Sequence, residues 1–274
     1  MKISLNWLKE FLGNIKDNDQ LIANLTSMGL EVDSVTKLKK DSVIDIDMTP
    51  NRADCLSVMG IARDLSAYGL GKLIEQKKIK YKEKSKIKNK VQIKTGSGCN
   101  TFGSLCIEGV TNYESPDWLK KDLQSLGLKP ISAIVDITNY VMFDLNRPMH
   151  AYDADKIDGN IIIRQSNNDE SFDALDDKKY NIPVGACLIT DKNKILGLGG
   201  IIGGKSSSID LDTKNIILEA AAFDPVKIAR VSKQLGIITD AKFRFERGVD
   251  PNSIETGLKL AAKLIQETCG GKIS

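Results

Sequence analysis

Between Gly71 and Lys90 nine lysines stand against two glutamates, and no core can hold such a run, because each buried ammonium would lose its hydration without gaining a partner. The run therefore lies at the surface and divides the chain. It predicts a small unit over residues 1–76, an exposed linker or edge strand over 77–90, and a larger unit over 91–271. Two readings of the linker stay open, a solvated connector or a strip that contacts phosphates. Over 274 residues the net charge is only +3, so no global field points to nucleic acid or membrane, and such a partner must be met by a local patch. At 41% hydrophobic the chain has material for a substantial core.

The first residues, Met1-Lys2-Ile3-Ser4-Leu5-Asn6-Trp7, lack the apolar run and small-residue cleavage site of a secretory signal. No apolar stretch is long enough to span a bilayer, so a cytoplasmic location is expected. Cys55, Cys99, Cys106, Cys187 and Cys269 are odd in number, scattered and never spaced Cys-x-x-Cys. They imply neither a disulfide framework nor a zinc site, and read as small buried hydrophobes.

An irregular mixture of strands and helices, without a βαβ rhythm, predicts an α+β fold. In the first unit Ser4 is placed to cap a helix over Leu5 to Leu12, and Asp19 another that stops at Gly29. Strands are expected over Leu30 to Val35 and Val43 to Met48, then a helix capped by Asp54 and ending at Gly69. The unit reads as self-contained. In the second, strands are expected over Gln92 to Lys94, Ser104 to Val110, Ile161 to Ile163, Cys187 to Thr190, Lys194 to Leu198 and Asn215 to Leu218. Helices are expected over Pro116 to Leu126, over Pro225 to Leu235, and from an Asp250 cap to Gly270, while Ala133 to Met142 holds a β-branched run.

His150 is the only histidine, so two-histidine zinc motifs are impossible and any serine or cysteine mechanism would have to pass through it. A surface or packing role is its plainer reading. Gly199 to Ser206 spells the phosphate-loop pattern, but the residues that follow do not begin an amphipathic helix, and that loop needs one to aim its amides. What survives is the bareness of Gly199, Gly200, Gly203 and Gly204, which permits either a tight turn or a group resting against backbone. Glu219 lies inside an apolar run. Either strand alternation turns it outward, or it is a specificity group in a pocket.

Six blocks, in order, carry a family resemblance: Thr49-Pro50-Asn51-Arg52-Ala53-Asp54-Cys55-Leu56-Ser57, Asp136-Ile137-Thr138-Asn139-Tyr140-Val141, Pro148-Met149-His150-Ala151-Tyr152-Asp153, Gly199 to Gly204, Leu218-Glu219-Ala220, and Arg244 to Pro251. Together they resemble the N-terminal half of the bacterial phenylalanyl-tRNA synthetase β subunit, from Met1 to about Gly271. The resemblance implies an editing module that hydrolyses tyrosine wrongly esterified to tRNA(Phe). It implies that Glu219 receives the tyrosine phenol with the backbone at Gly203, and that His150, Thr138 and Thr239 serve the ester end as catalytic groups. Ala241 and Asn139 line the same pocket, and Lys129 stands near the tRNA terminus where other members carry arginine.

The same likeness implies tRNA(Phe) and the synthetase α subunit as partners, the latter through downstream regions outside the resemblance. No class II synthetase signature is visible, so ATP and magnesium are expected only for the complete synthetase; no metal or cofactor is expected in this chain, and no membrane partner. The family's inserted oligonucleotide-binding barrel is missing, since only Thr36 to Lys40 separates the flanking segments. A non-catalytic, tRNA-positioning part with a degenerate pocket is the alternative function.

Overall fold

Residues Asn215–Phe223 form a strand in which every residue but the first is buried. In this computed structural model, which describes residues 1–15, 18–75, 79 and 89–274, that strand is central. It runs antiparallel between Cys99–Glu108 and His150–Asp153, in a four-stranded sheet completed by Lys272–Ile273. Ile216, Leu218, Ala220 and Ala222 point into a core shared with helices Ala133–Leu145 and Ile254–Cys269. Ile217, Ala221 and Phe223 point the other way, onto a five-stranded sheet ordered Ile202–Gly203, Ile195–Leu198, Cys187–Thr190, Ile161–Gln165 and Val91–Ile93. A strand covered on both faces reads as an unbroken apolar run. That is why it continues past Leu218, where the expected strand stops. The architecture is α+β.

The first unit folds as a three-stranded sheet, Lys2–Ser4, Asp41–Asp47 and Glu31–Leu38 in that order, with helices Leu5–Phe11, Asn18–Ser27 and Val58–Ala67. Where a barrel insertion was expected to be missing, Glu31–Leu38 and Asp41–Asp47 pair as a hairpin. Ser4 caps the first helix by accepting from the Trp7 amide at 3.1 Å, and Gly29 at φ 85° follows the second.

Several expected boundaries move. The third helix is capped by Ser57, which accepts from the Gly60 amide at 3.0 Å; Asp54 lies in the preceding turn, bound to Arg52 and Arg63, because charge-assisted pairing holds its carboxylate better than a neutral amide would. Asp250 caps only the turn Pro251–Ser253, and the long helix starts at Ile254. The β-branched run becomes the helix Ala133–Leu145, since burial on both sides overrides the weak propensity against it. The second unit's long strand starts at Cys99 and ends at Glu108. Most of the expected linker, residues 77, 78 and 80–88, lies outside the described residues. Among the described residues no helix is long and apolar enough to cross a membrane.

The first unit is not self-contained. One apolar cluster joins Leu5, Trp7 and Leu8 to Leu119, Ile134 and Ile265. Trp7 stacks on Tyr140 at 4.5 Å, and its indole N–H donates to Asp144 Oδ1 at 2.8 Å inside the core. Burial pushes Asp144 up to about 7, and the nearby charges of Glu10 and Asp122 add to this while the indole donor opposes it. Trp7→Phe keeps the ring stack and removes that donor, so it is expected to cost about 1–3 kcal/mol, read as a lowered urea midpoint. Wild-type unfolding followed by circular dichroism and by tryptophan fluorescence should coincide in one transition.

Candidate ligand site

His150 stands directly opposite Glu219 across the sheet, and the two-residue period puts Tyr152 on the same face, opposite Ile217. All three side chains therefore face the five-stranded sheet. With Gly203, Ala241 and Phe245 they line a cleft of about 430 Å³, counted out to open solvent. The question left open by alternation is answered by the layers. Glu219 is 6% exposed, because both faces of this strand are covered and the carboxylate meets only the cleft.

Tyr152, only 1% exposed, donates its hydroxyl to Glu219 Oε2. Among the described residues, hydrogen bonding to the Glu219 carboxylate involves that oxygen alone. Burial pushes the glutamate up to about 7, and the phenol donor pulls it back. Burial and the adjoining carboxylate hold the Tyr152 hydroxyl well above its ordinary range, so it keeps its proton and acts as the donor.

Burial lowers His150 to about 4, which leaves a neutral ring at physiological pH. Its Nε2 is buried and has no hydrogen-bond partner among the described residues. The ring meets Tyr152 edge to face at 4.5 Å and rests on the bare backbone of Gly203, where an added methyl carbon would sit 2.5 Å from Cε1. The close approach anticipated at the glycines is thus made by the chain's own imidazole. The phosphate-loop lookalike opens no long helix. Lys205–Ser207 is a single 3-10 turn, with Lys205 ion-paired to Asp177.

Thr239 caps the helix Asp240–Phe245, accepting from the Lys242 amide at 3.0 Å and donating to the Ile201 carbonyl at 2.8 Å. It ties the helix bearing Ala241 to the glycine turn. Thr138 spends its proton on the Val135 carbonyl, 2.7 Å away in its own helix. Both threonines expected at the ester end therefore have their donors committed to backbone and are left with acceptor capacity. Thr138 is buried, Asn139 half-buried and Lys129 exposed, and none of these three lines the cleft. The structure thus unites His150, Glu219, Gly203 and Ala241, braced by Thr239. Tyr152 is the residue that sequence reasoning missed. Its signal was the His-x-Tyr spacing, which needs the strand register before it means anything.

Asp54, Cys55 and Asp64 bring possible metal-ligand atoms within 4.8 Å of one another. Both carboxylates there are bound by Arg52 and Arg63, and burial pushes the Cys55 thiol up to about 12. This is an ion-pair network that joins the turn to the helix behind it.

A family profile described as the B3/4 domain matches residues 98–270. The chain belongs to the B3/4 domain family. The whole cleft falls within the B3/4 domain. Over 232 residues the chain is 45% identical to the phenylalanine–tRNA ligase beta subunit of Mesorhizobium japonicum, covering 85% of this chain and 29% of that one. Over 246 residues it is 46% identical to the Wolbachia subunit of the same name, covering 85% and 31%. The chain spans about three tenths of the length of these curated relatives. A structure of an N-terminal fragment of the phenylalanyl-tRNA synthetase beta-subunit from Pyrococcus horikoshii aligns with all of this chain and 74% of its own, at 16% identity and a TM-score of 0.46.

Glu219 titrates near 7 when folded against an ordinary 4.5, so the folded chain keeps a proton that the unfolded chain releases. That contribution is complete below 4.5, is lost as pH rises towards 7, and is flat above. Glu219→Gln lacks it. Urea unfolding at a series of pH values should show the stability of the wild type falling relative to Glu219→Gln across that window.

Proposed function

We propose that this B3/4 domain hydrolyses tyrosine wrongly esterified to tRNA(Phe), as the editing part of a phenylalanine–tRNA ligase β subunit. The observation that carries the reading is Glu219, a buried carboxylate in a cleft with one oxygen bound to a phenol and the other without a hydrogen bond among the described residues. A synthetic pocket built for phenylalanine gains little against an analogue that only adds a hydroxyl, so a second site has to catch the error. A buried acceptor does the reverse. Tyrosine satisfies it, whereas phenylalanine displaces water and leaves the acceptor unpaired, at about 1–3 kcal/mol or more for a charged group.

In the reaction a water oxygen bonds to the aminoacyl carbonyl carbon, the ester bond to the ribose oxygen breaks, and that oxygen takes up a proton, giving free tyrosine and tRNA. A neutral imidazole at about 4 is a weak base. The part it suits is hydrogen bonding through its unpartnered Nε2 to the water or to the terminal ribose, with the neighbouring ribose hydroxyl assisting the attack. Thr239 supports the site through the cap that fixes Ala241. tRNA(Phe) and the α subunit are the partners this reading requires, and ATP with magnesium belongs to the complete synthetase.

Incubation with Tyr-tRNA(Phe) and Phe-tRNA(Phe) tests it. The wild-type chain should release tyrosine selectively. Glu219→Ala should lower the preference for the tyrosyl ester about 10- to 100-fold, the range of a lost hydrogen bond to a charged group, and His150→Ala should slow release. A wild-type chain that releases neither amino acid would overturn the proposal in favour of a tRNA-positioning part with a degenerate pocket.

A further inference from the structure

We propose that Tyr152 is a positioning residue for this cleft: its hydroxyl holds Glu219 Oε2 and so presents Oε1 to a phenol carried in by the ligand. The inference rests on reading Glu219 as the acceptor of a ring hydroxyl. Tyr152 and Glu219 are diagonal neighbours on adjacent strands, and their hydrogen bond joins two side chains sealed in the core. The phenol ring packs roughly perpendicular to the ring of His150, which in turn lies on Gly203. These contacts and the low exposure of Tyr152 hold the donor beside the carboxylate. A carboxylate has two oxygens and about four acceptor positions, so the internal phenol leaves room for a second. The pair already displays, within the chain, the contact that a tyrosyl ligand would make.

The surroundings make the donor necessary. The groups that face Glu219 are His150 and Tyr152 from one neighbouring strand, Ser104 and Cys99 from the other, Cys187 from the opposing sheet, and Ala241 and Phe245 from the helix Asp240–Phe245. None is cationic at neutral pH, since burial keeps the imidazole uncharged and both thiols protonated. Tyr152 is the group there that favours the ionised form of the glutamate. Without it the acid holds its proton to higher pH, and a protonated carboxyl is the weaker acceptor for a phenol.

Tyr152→Phe retains the ring and removes the donor. The measurement is carbon-13 NMR of glutamate-labelled chain, with the Glu219 signal identified by its loss in Glu219→Gln, and p-cresol and toluene as probes. In Tyr152→Phe the Glu219 carboxyl should titrate at higher pH than in wild type. p-Cresol should perturb that signal in wild type where toluene does not, and should bind about tenfold more weakly to the variant. In the hydrolysis assay the acid limb of Tyr-tRNA(Phe) release should move to higher pH.

An unchanged Glu219 titration, no response of the wild-type signal to p-cresol, or tighter p-cresol binding by Tyr152→Phe would overturn the proposal. The last result would mark Tyr152 as a competitor for the acceptor. A wild type that answers p-cresol but hydrolyses neither ester would overturn the editing reading while supporting the role of Tyr152.

Discussion

A carboxylate on the strand Asn215–Phe223 meets cover on both faces. One face of that strand is covered by helices and the other by a second sheet, so Glu219 is desolvated whichever way it points. Its cost is offset only in part by the Tyr152 hydroxyl. An unpaired buried charge is among the more expensive things a fold can hold. The rest of the cleft is arranged around this one group: a neutral imidazole beside it, a bare glycine beneath the imidazole, and a capped helix closing the wall.

Local chemistry made much of this legible in the sequence. Ser4, Pro225 and Gly236 announce helix ends, and the structure uses them so. The anomaly of an acid in an apolar run singled out Glu219 before any fold was known. What stayed hidden depends on contacts distant in sequence. Asp54 has the character of a cap, but two arginines claim it. The β-branched residues from Ile134 to Val141 look strand-like, and burial in the shared core makes them helical. Tyr152 gains significance only when the register puts it diagonally across from Glu219.

The two threonines show how a role suggested by likeness meets geometry. A hydroxyl has one proton, and those of Thr138 and Thr239 go to the Val135 and Ile201 carbonyls. Both hydroxyls hold backbone in place and keep only acceptor capacity for anything else. Gly203 is similar. Its missing side chain accommodates His150, so the glycine shapes the cleft through the imidazole as much as through its own amide.

Homology and folding draw their borders in different places on this chain. The family match opens at residue 98, yet the apolar seam that Trp7 and Leu8 close against Ile134 and Leu119 lies upstream and downstream of that point alike. Excising the matched portion would bare this seam and strand Asp144 without its indole. The helix that carries Asp144 ends at Leu145, five residues before His150. The N-terminal unit is in that sense a buttress, and the alignment of the cleft leans on residues that no catalytic inventory would include.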